Sequence, residues 1–489
     1  MSIVAVDIRR RIGPINPHIY GNFIEHLGRC IYGGIYEPGS PLADARGFRR
    51  DVLEAVKRLR VPILRWPGGN FVSGYHWTDG IGPKETRPRR MELAWHTVET
   101  NQFGTDEFIA YCREVGTEPY ICVNMGSGTM DEAAAWVEYC NGTQDTYWAN
   151  KRRENGNPKP FAVKYWGLGN EVSGTWQIGH KDADTYVAEA IEFAKVMKWT
   201  DPSVKLIACG SCMMTAADME WNRKVIEGLK PHAEYLGIHM YVSNRRHTYE
   251  QYMGTTHHIE RYIRAVRGLI DAATYAAPDT FPEERRMSIA FDEWNATYSP
   301  DAQVPHERYT LEDALVVAMF LNAFLRHADA ITMANMAQLV NVIPPIFTSP
   351  DDMFFQTIFY PLELYTLHNG THALDAYVEC PTVPAGEYGK VPVLDVSSSY
   401  SPETGMASVN LINRHRTEAV PLALECQHGR FNGEGTLYEI TGEDVRVYND
   451  FARKDAVTTT TRPVRGEGKV MNVALSPHSV TMVRVPVAV

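Results

Sequence analysis

The chain reads as an α/β protein: a (β/α)8 TIM barrel followed by an all-β, jelly-roll-like sandwich. Three observations lead there. From about residue 15 to about residue 335, short apolar runs alternate with amphipathic stretches of helical period. Eight of those runs have the length of a buried strand, and eight units in roughly 320 residues fit a closed barrel better than an open doubly wound sheet. Beyond about residue 371 the helical periods stop, and β-rich runs separated by Gly, Pro and Asn turns take over.

At 489 residues the chain is too long for one ordinary core. The expected layout is a strand over 1–14 that joins the sandwich, a barrel over 15–370 and the sandwich over 371–489. The predicted barrel strands are 19–25, 63–66, 120–124, 165–170, 206–210, 235–241, 287–293 and 330–335. Between them, Val52, Val56 and Leu59 share one helical face after Asp51. Ala183, Tyr186, Ala190, Phe193 and Met197 form a second stripe, and Ile259, Ile263, Val266 and Ile270 a third. Residues 311–326 are mostly helix formers behind a Thr310 cap. The later runs, 391–399, 407–412, 419–425, 436–440 and 480–487, suggest an antiparallel sandwich. No period of 20–50 residues repeats, and no low-complexity linker interrupts the chain.

Composition narrows the partners. The formal charge of −11 argues against nucleic acid, because phosphate binding needs a basic face. The first ten residues have no basic region ahead of a long apolar one, and no uncharged apolar run would span a bilayer, so neither secretion nor a membrane is expected. Cysteines such as Cys112, Cys122 and Cys140 sit in apolar segments, which suits reduced, buried thiols in the cytoplasm.

Signals for several chemistries are weak. Trp66-Pro67-Gly68-Gly69-Asn70 lacks the Lys-Ser/Thr of a phosphate loop. Cys209 and Cys212 form a lone C-x-x-C, which favours structural thiols over zinc or redox work. His306-Glu307 has no histidine at zincin spacing, His257-His258 has no evident third ligand, and no G-x-S-x-G elbow occurs. No metal and no cofactor is expected.

Two acids stand apart. Glu171 ends the run from Tyr165 and Glu293 the run from Met287, at the tips of the fourth and seventh predicted strands. Barrel enzymes keep catalytic groups at strand C-termini. Each acid alone is as easily a solvated or paired surface group. Together they match a glycosidase's need for one protonated acid and one ionised carboxylate, held about 5–5.5 Å apart in a retaining enzyme. At such a distance, charge on one carboxylate disfavours charge on the other. Glu25-His26, Arg65, Asn70, Asn124, Asn170, His239, Tyr241 and Gln338 fall at or beyond other strand ends. Trp95, Trp176 and Trp294 lie nearby, so polar groups and ring faces suit a polyhydroxylated ligand. For each residue a structural role competes: Arg65 as a barrel-layer ion pair, His239 as a hydrogen-bonded interior histidine, the tryptophans as core. Trp136 is expected in the core.

Longer stretches carry a resemblance. They are Ile19-Tyr20-Gly21-Asn22-Phe23-Ile24-Glu25-His26-Leu27-Gly28-Arg29-Cys30-Ile31-Tyr32-Gly33-Gly34, Leu64-Arg65-Trp66-Pro67-Gly68-Gly69-Asn70-Phe71, Val98-Glu99-Thr100-Asn101-Gln102-Phe103-Gly104-Thr105, Gly167-Leu168-Gly169-Asn170-Glu171, Phe291-Asp292-Glu293-Trp294-Asn295 and Ala337-Gln338-Leu339-Val340-Asn341-Val342-Ile343. In these the chain resembles glycoside hydrolase family 51, the α-L-arabinofuranosidases, across nearly its whole length. The resemblance implies Glu171 as general acid/base and Glu293 as nucleophile. It implies Asn170 at the sugar 2-hydroxyl, Glu25, Asn70 and Gln338 at other arabinofuranose hydroxyls, Arg65 as the nucleophile's partner and Tyr241 as the tyrosine after the sixth strand. After the nucleophile, Ala296-Thr297-Tyr298 stands where the family has bulkier residues ending in Trp-Tyr, a departure that bears on the leaving-group side. A C-terminal β-sandwich, no metal and homo-oligomers (hexamers or trimers) are implied too. The expected activity is exo-acting release of terminal α-L-arabinofuranose from arabino- or arabinoxylo-oligosaccharides with retention. Two readings stay open beside it: a β-xylosidase or glucan hydrolase on the same barrel, and a catalytically silent carbohydrate-binding protein.

Overall fold

A computed structural model describes residues 2–244, 248–276, 286–297 and 308–488. The first strand, β1 (Ser2–Pro14), lies outside the barrel. Eight parallel strands then close into one: β2 (Gly21–Phe23), β3 (Ile63–Trp66), β4 (Glu118–Val123), β5 (Tyr165–Leu168), β6 (Lys205–Cys209), β7 (Tyr235–Ser243), β8 (Ser288–Thr297) and β9 (Ile331–Ala337). They follow chain order round the ring, and β9 pairs back onto β2 through Asn335↔Gly21 and Ala337↔Phe23. Ile63, Tyr120, Tyr165, Ile207, Ala290 and Met333 pack as one cluster, a plug of side chains of the kind that fills a barrel's interior.

The eight predicted strands all form. The first is cut short: Pro17 opens a 3-10 turn over Pro17–Tyr20, where Asn16 accepts from the His18 N–H, and pairing begins only at Gly21. The amphipathic stretches become helices Arg50–Leu59, Ala183–Thr200 and Thr256–Tyr275, each burying its predicted stripe except for Ala183, which is half-buried at the helix start. Arg50–Leu59 stops at Arg60, whose φ of 50° lies in the left-handed region. A hairpin of Arg90–Glu92 with Thr97–Glu99, absent from the sequence reading, overhangs the barrel mouth.

The helix Leu311–Arg326 starts where Asp313 accepts hydrogen bonds from the Thr310 N–H and hydroxyl. Apart from half-buried Asp313, its residues from Leu311 to Leu325 are buried on every side, because it packs on the barrel and on the C-terminal sheet together. A polar patch interrupts that apolar surface near its C-terminal end. Buried Asp395 accepts from Asn322 and Arg326 (both 2.8 Å) and pairs with Arg414.

The C-terminal strands are β10 (His372–Glu379), β11 (Leu394–Ser401), β12 (Met406–Asn413), β13 (Val420–Cys426), β14 (Arg430–Ile440), β15 (Thr459–Gly468), β16 (Val470–Leu475) and β17 (Ser479–Ala488). With β1 they make one nine-stranded sheet in the order β15-β14-β17-β12-β11-β10-β1-β13-β16. Pairing is antiparallel except between β1 and β13. The two edge strands, β15 and β16, are separated in sequence by Lys469 alone. The sheet therefore curls until its edges meet, and Val4, Val6, Leu374, Val409, Leu422 and Val485 pack inside it. Sandwich layering thus arises from one curled sheet.

Candidate active site

The local chain path explains why the acids gather. After β5 the backbone turns twice through the left-handed region, at Gly169 (φ 81°) and at Glu171 itself (φ 43°). Such a value costs a non-glycine residue about 1 kcal/mol and is held by its surroundings. On β8 the ladder to β7 shifts register between Ala290 and Glu293, and the ladder to β9 shifts between Phe291 and Trp294. The bulge turns both Asp292 and Glu293 toward the barrel interior, where simple alternation would point one outward. One donor atom from each of Glu171, His239 and Glu293 lies within 4.8 Å of the others.

Glu293 sits in a fixed shell. Arg65 Nη1 donates to Glu293 Oε2 at 3.0 Å and to the Asp292 carbonyl at 2.8 Å. Its other terminal nitrogen donates to Asn170 Oδ1 at 2.6 Å. That bond fixes the Asn170 amide with its NH2 as the remaining donor. Tyr241 donates its hydroxyl to Glu293 Oε1 at 2.8 Å. The guanidinium is buried, 4.6 Å above the Phe23 ring, and neighbouring Asp292 and Glu293 more than offset its loss of hydration.

Glu171 has different company. His239 Nδ1 lies 3.0 Å from Glu171 Oε1, and the Trp176 indole N–H donates to Oε2 at 2.8 Å. The other imidazole nitrogen is 3.4 Å from Asp292 Oδ1, and Tyr120 donates to Asp292 Oδ2 at 2.7 Å. Burial alone would lower the basicity of His239. Glu293, Asp292 and Glu171 outweigh it and raise the imidazolium to about 10. Burial would likewise raise Glu171, but His239 and Trp176 hold its carboxyl below the ordinary range. The acid and the histidine therefore form one unit, with the shared proton resting on the ring.

Glu25, 3% exposed, closes one end of the site. Its Oε1 accepts from the Phe71 N–H (3.1 Å) and the Trp95 indole (3.2 Å), and its Oε2 accepts from Gln338 (2.9 Å). Burial and the charge of Glu293 push Glu25 up to about 7. Glu92 accepts from the backbone N–H groups of Ala94 and Trp95, which sets the hairpin tip that delivers the Trp95 ring. Asn70 begins a 3-10 turn, half-buried. The two glycines before it have a steric reason: a Cβ on Gly68 would meet Glu25 Cγ at 2.6 Å, and one on Gly69 would lie 3.3 Å from Glu293 Oε2.

Other residues singled out in the sequence take structural roles. Trp294 is fully buried against Phe320 and Phe324, so it belongs to the core outside the barrel rather than to a sugar platform. Asn124 is committed to its own turn, accepting from Gly126 and Ser127 and donating to Tyr75. His26 is held between Glu99 and the Trp66 indole. Trp136 stacks on Trp77 in the core. Cys209 accepts from the Val172 N–H, and no disulfide forms among the described residues. Sequence reasoning gave no role to Asp292, Tyr120 or Gly69. The Phe291-Asp292-Glu293 string was the available signal for Asp292, and only the bulge reveals that both acids turn inward. Tyr298, His306 and Glu307 lie outside the described residues.

Comparison with known proteins gives the same picture. The profile "Alpha-L-arabinofuranosidase 1 domain" matches residues 55–264, and "Alpha-L-arabinofuranosidase C-terminal domain" matches 292–479. A probable α-L-arabinofuranosidase C of Aspergillus fumigatus is 42% identical over 98% of this chain and 96% of its own. The intracellular exo-α-(1→5)-L-arabinofuranosidase 1 of Bacillus subtilis is 41% identical over 97% and 96%. The solved structure of the thermostable GH51 α-L-arabinofuranosidase from Thermotoga petrophila superposes with a TM-score of 0.91 at 39% identity, covering 99% of this chain and 100% of that one. With its closed barrel, curled C-terminal sheet and paired glutamates, this chain belongs to the α-L-arabinofuranosidases of glycoside hydrolase family 51.

Proposed function

We propose that the protein is an exo-acting, retaining glycosidase that releases terminal non-reducing α-L-arabinofuranosyl groups from arabino- or arabinoxylo-oligosaccharides. The observation that carries this is the approach of the Glu171 and Glu293 carboxylates to within 4.8 Å, each in its own hydrogen-bond shell. That spacing is closer to the about 5–5.5 Å of retaining enzymes than to the about 6.5–9.5 Å of inverting ones. The buried Glu25–Gln338 wall supports a pocket that ends at one sugar, and the exo-acting name of the Bacillus subtilis relative supports the same choice.

In the first step Glu293 attacks the anomeric carbon, the bond to the leaving oxygen breaks, and that oxygen takes its proton through Glu171. That proton comes from His239 along the 3.0 Å contact, so Glu171 is left ionised for the second step and passes the proton it takes from water back to the ring. Tyr241 and Arg65 hold the nucleophile's two oxygens, so it meets the carbon without reorganisation. Asn170, its carbonyl oxygen held by Arg65, donates to the 2-hydroxyl. Esterification then removes the charge of Glu293. In the second step Glu171 takes a proton from water, the water oxygen bonds to the anomeric carbon, and the ester bond breaks to restore Glu293. Glu25, Asn70 and Gln338 bind the remaining hydroxyls, with Trp95 and Trp176 as ring faces at the mouth.

The test is hydrolysis of aryl α-L-arabinofuranoside, aryl β-xyloside and aryl β-glucoside by the wild type. Turnover confined to the first supports the reading. A preference for the xyloside keeps the mechanism and replaces the sugar. Binding of arabino-oligosaccharides without any turnover means a silent binding protein. A cytoplasmic location and a homo-oligomer of three or six chains belong to the same reading, and light scattering on the purified protein measures the latter.

A further inference from the structure

The outer face of the curled sheet carries a trough that the catalytic chemistry does not use. Along β1, β10 and β13, alternation sends Val4, Val6, Leu374, Leu422 and Leu424 into the core. The intervening residues face the other way. Ala5 of β1 is directly opposite Tyr377 on one neighbouring strand and Glu425 on the other. A small side chain between two rows of large ones leaves a groove with Ala5 as its floor. The groove has a volume of about 280 Å³, and Tyr377, Asp375, Arg10, Asp7 and Gln427 line it. Its walls stand two strand spacings apart, roughly 9.6 Å between backbones.

The chemistry of the lining selects among ligands. Tyr377 is 56% exposed, and its hydroxyl is tethered to Glu379, so the ring stands as a fixed apolar plate. The two aspartates already have cations: Asp7 binds Arg9 through Nε at 3.1 Å and Nη2 at 2.8 Å, and Asp375 pairs with Arg10. What the groove offers is carboxylate lone pairs, the Arg10 guanidinium already paired with Asp375, the Gln427 amide, whose NH2 donates to Glu425 at 3.1 Å, and one aromatic face, with Glu425 and Glu379 adding negative charge. Anions are disfavoured there. A neutral polyol matches: its hydroxyls donate to the acceptors while its C–H face rests on the ring.

We propose that this trough is a second carbohydrate-binding site, on the C-terminal sheet and separate from the catalytic glutamates, taking one or two sugar units of a neutral oligosaccharide. The choice of glycan rests on the arabinofuranosidase reading above; the polyol chemistry does not. It would hold a polymer to the enzyme between cleavage events.

The test is affinity electrophoresis in gels containing linear arabinan or arabinoxylan, run in a Glu293→Gln background so that nothing is consumed. Tyr377→Ala should weaken retardation at least about tenfold in one of the two glycans, and Tyr377→Phe, which keeps the ring, should stay within about twofold. Tyr377→Ala alone should hydrolyse a small aryl α-L-arabinofuranoside at the wild-type rate. Retardation unchanged by Tyr377→Ala, or no retardation of the parent in either gel, overturns the proposal. Failure of the aryl assay in the wild type would sink the arabinofuranosidase reading instead, and retardation lost with Tyr377 would still support the trough.

Discussion

Replacing His239 by glutamine separates the proton store from the acid. In the folded protein the imidazolium is raised from 6.5 to about 10, which corresponds to about 5 kcal/mol of favourable interaction with the protonated ring. Without it, Glu171 keeps the burial that raises its carboxyl and loses the first of the interactions that lower it. Glu25 shows the direction: buried beside the same Glu293 and without a cationic hydrogen-bond partner, its carboxyl is raised above the ordinary range. The basic limb of kcat/KM for an aryl arabinofuranoside with a poor leaving group should therefore move to lower pH, with the loss growing as pH rises. A dinitrophenyl substrate, whose leaving group needs no proton, should lose far less. Stability carries a matching sign. A group raised on folding stabilises fully below its unfolded value and loses that contribution as pH rises through its folded value. The gap in unfolding free energy between wild type and His239→Gln should thus shrink from pH 6.5 toward pH 10. An unmoved basic limb, with equal losses on both substrates, would refute the shared proton.

Two further substitutions probe the shell and the junction. Tyr241→Phe removes the hydroxyl that donates to Glu293 at 2.8 Å, and kcat/KM should fall about 10–100-fold with unfolding unchanged, as steady-state kinetics beside a denaturant melt would show. Asp395→Ala leaves Arg326, Arg414 and Asn322 without their buried acceptor, and urea unfolding should report a loss of about 3–5 kcal/mol; under about 1 kcal/mol would mean the cluster is incidental.

Much of this was legible in the sequence because it depends on periodicity. Strands such as Ile63–Trp66 and helices such as Leu311–Arg326 are set by local pattern, and the structure reproduces both with the same bounds. Glu171 and Glu293 were visible because strand ends are where a barrel keeps its site. What escaped depends on departures from periodicity. The β8 bulge turns two consecutive acids inward and sends Trp294 into the outer core, where alternation from Glu293 alone gives no hint of Asp292's part. Trp95 reaches Glu25 from a short hairpin whose strands are too brief to read. Asn124 and His26 have the right residue types at the right strand ends, yet the Asn124 carbonyl is taken by its own turn, and its amide and both His26 nitrogens by neighbours distant in sequence, which no single-sequence pattern encodes. The parallel seating of β1 beside β13 is likewise a tertiary fact.

The central claim is that Glu293 forms a covalent bond to the sugar while Glu171 serves both steps, and product stereochemistry measures it. Wild-type enzyme acting on an aryl α-L-arabinofuranoside in methanol-containing buffer, followed by proton NMR, should yield methyl α-L-arabinofuranoside, with no product from Glu293→Ala. Methyl β-L-arabinofuranoside as the first product, or appreciable turnover by folded Glu293→Ala, would contradict the account.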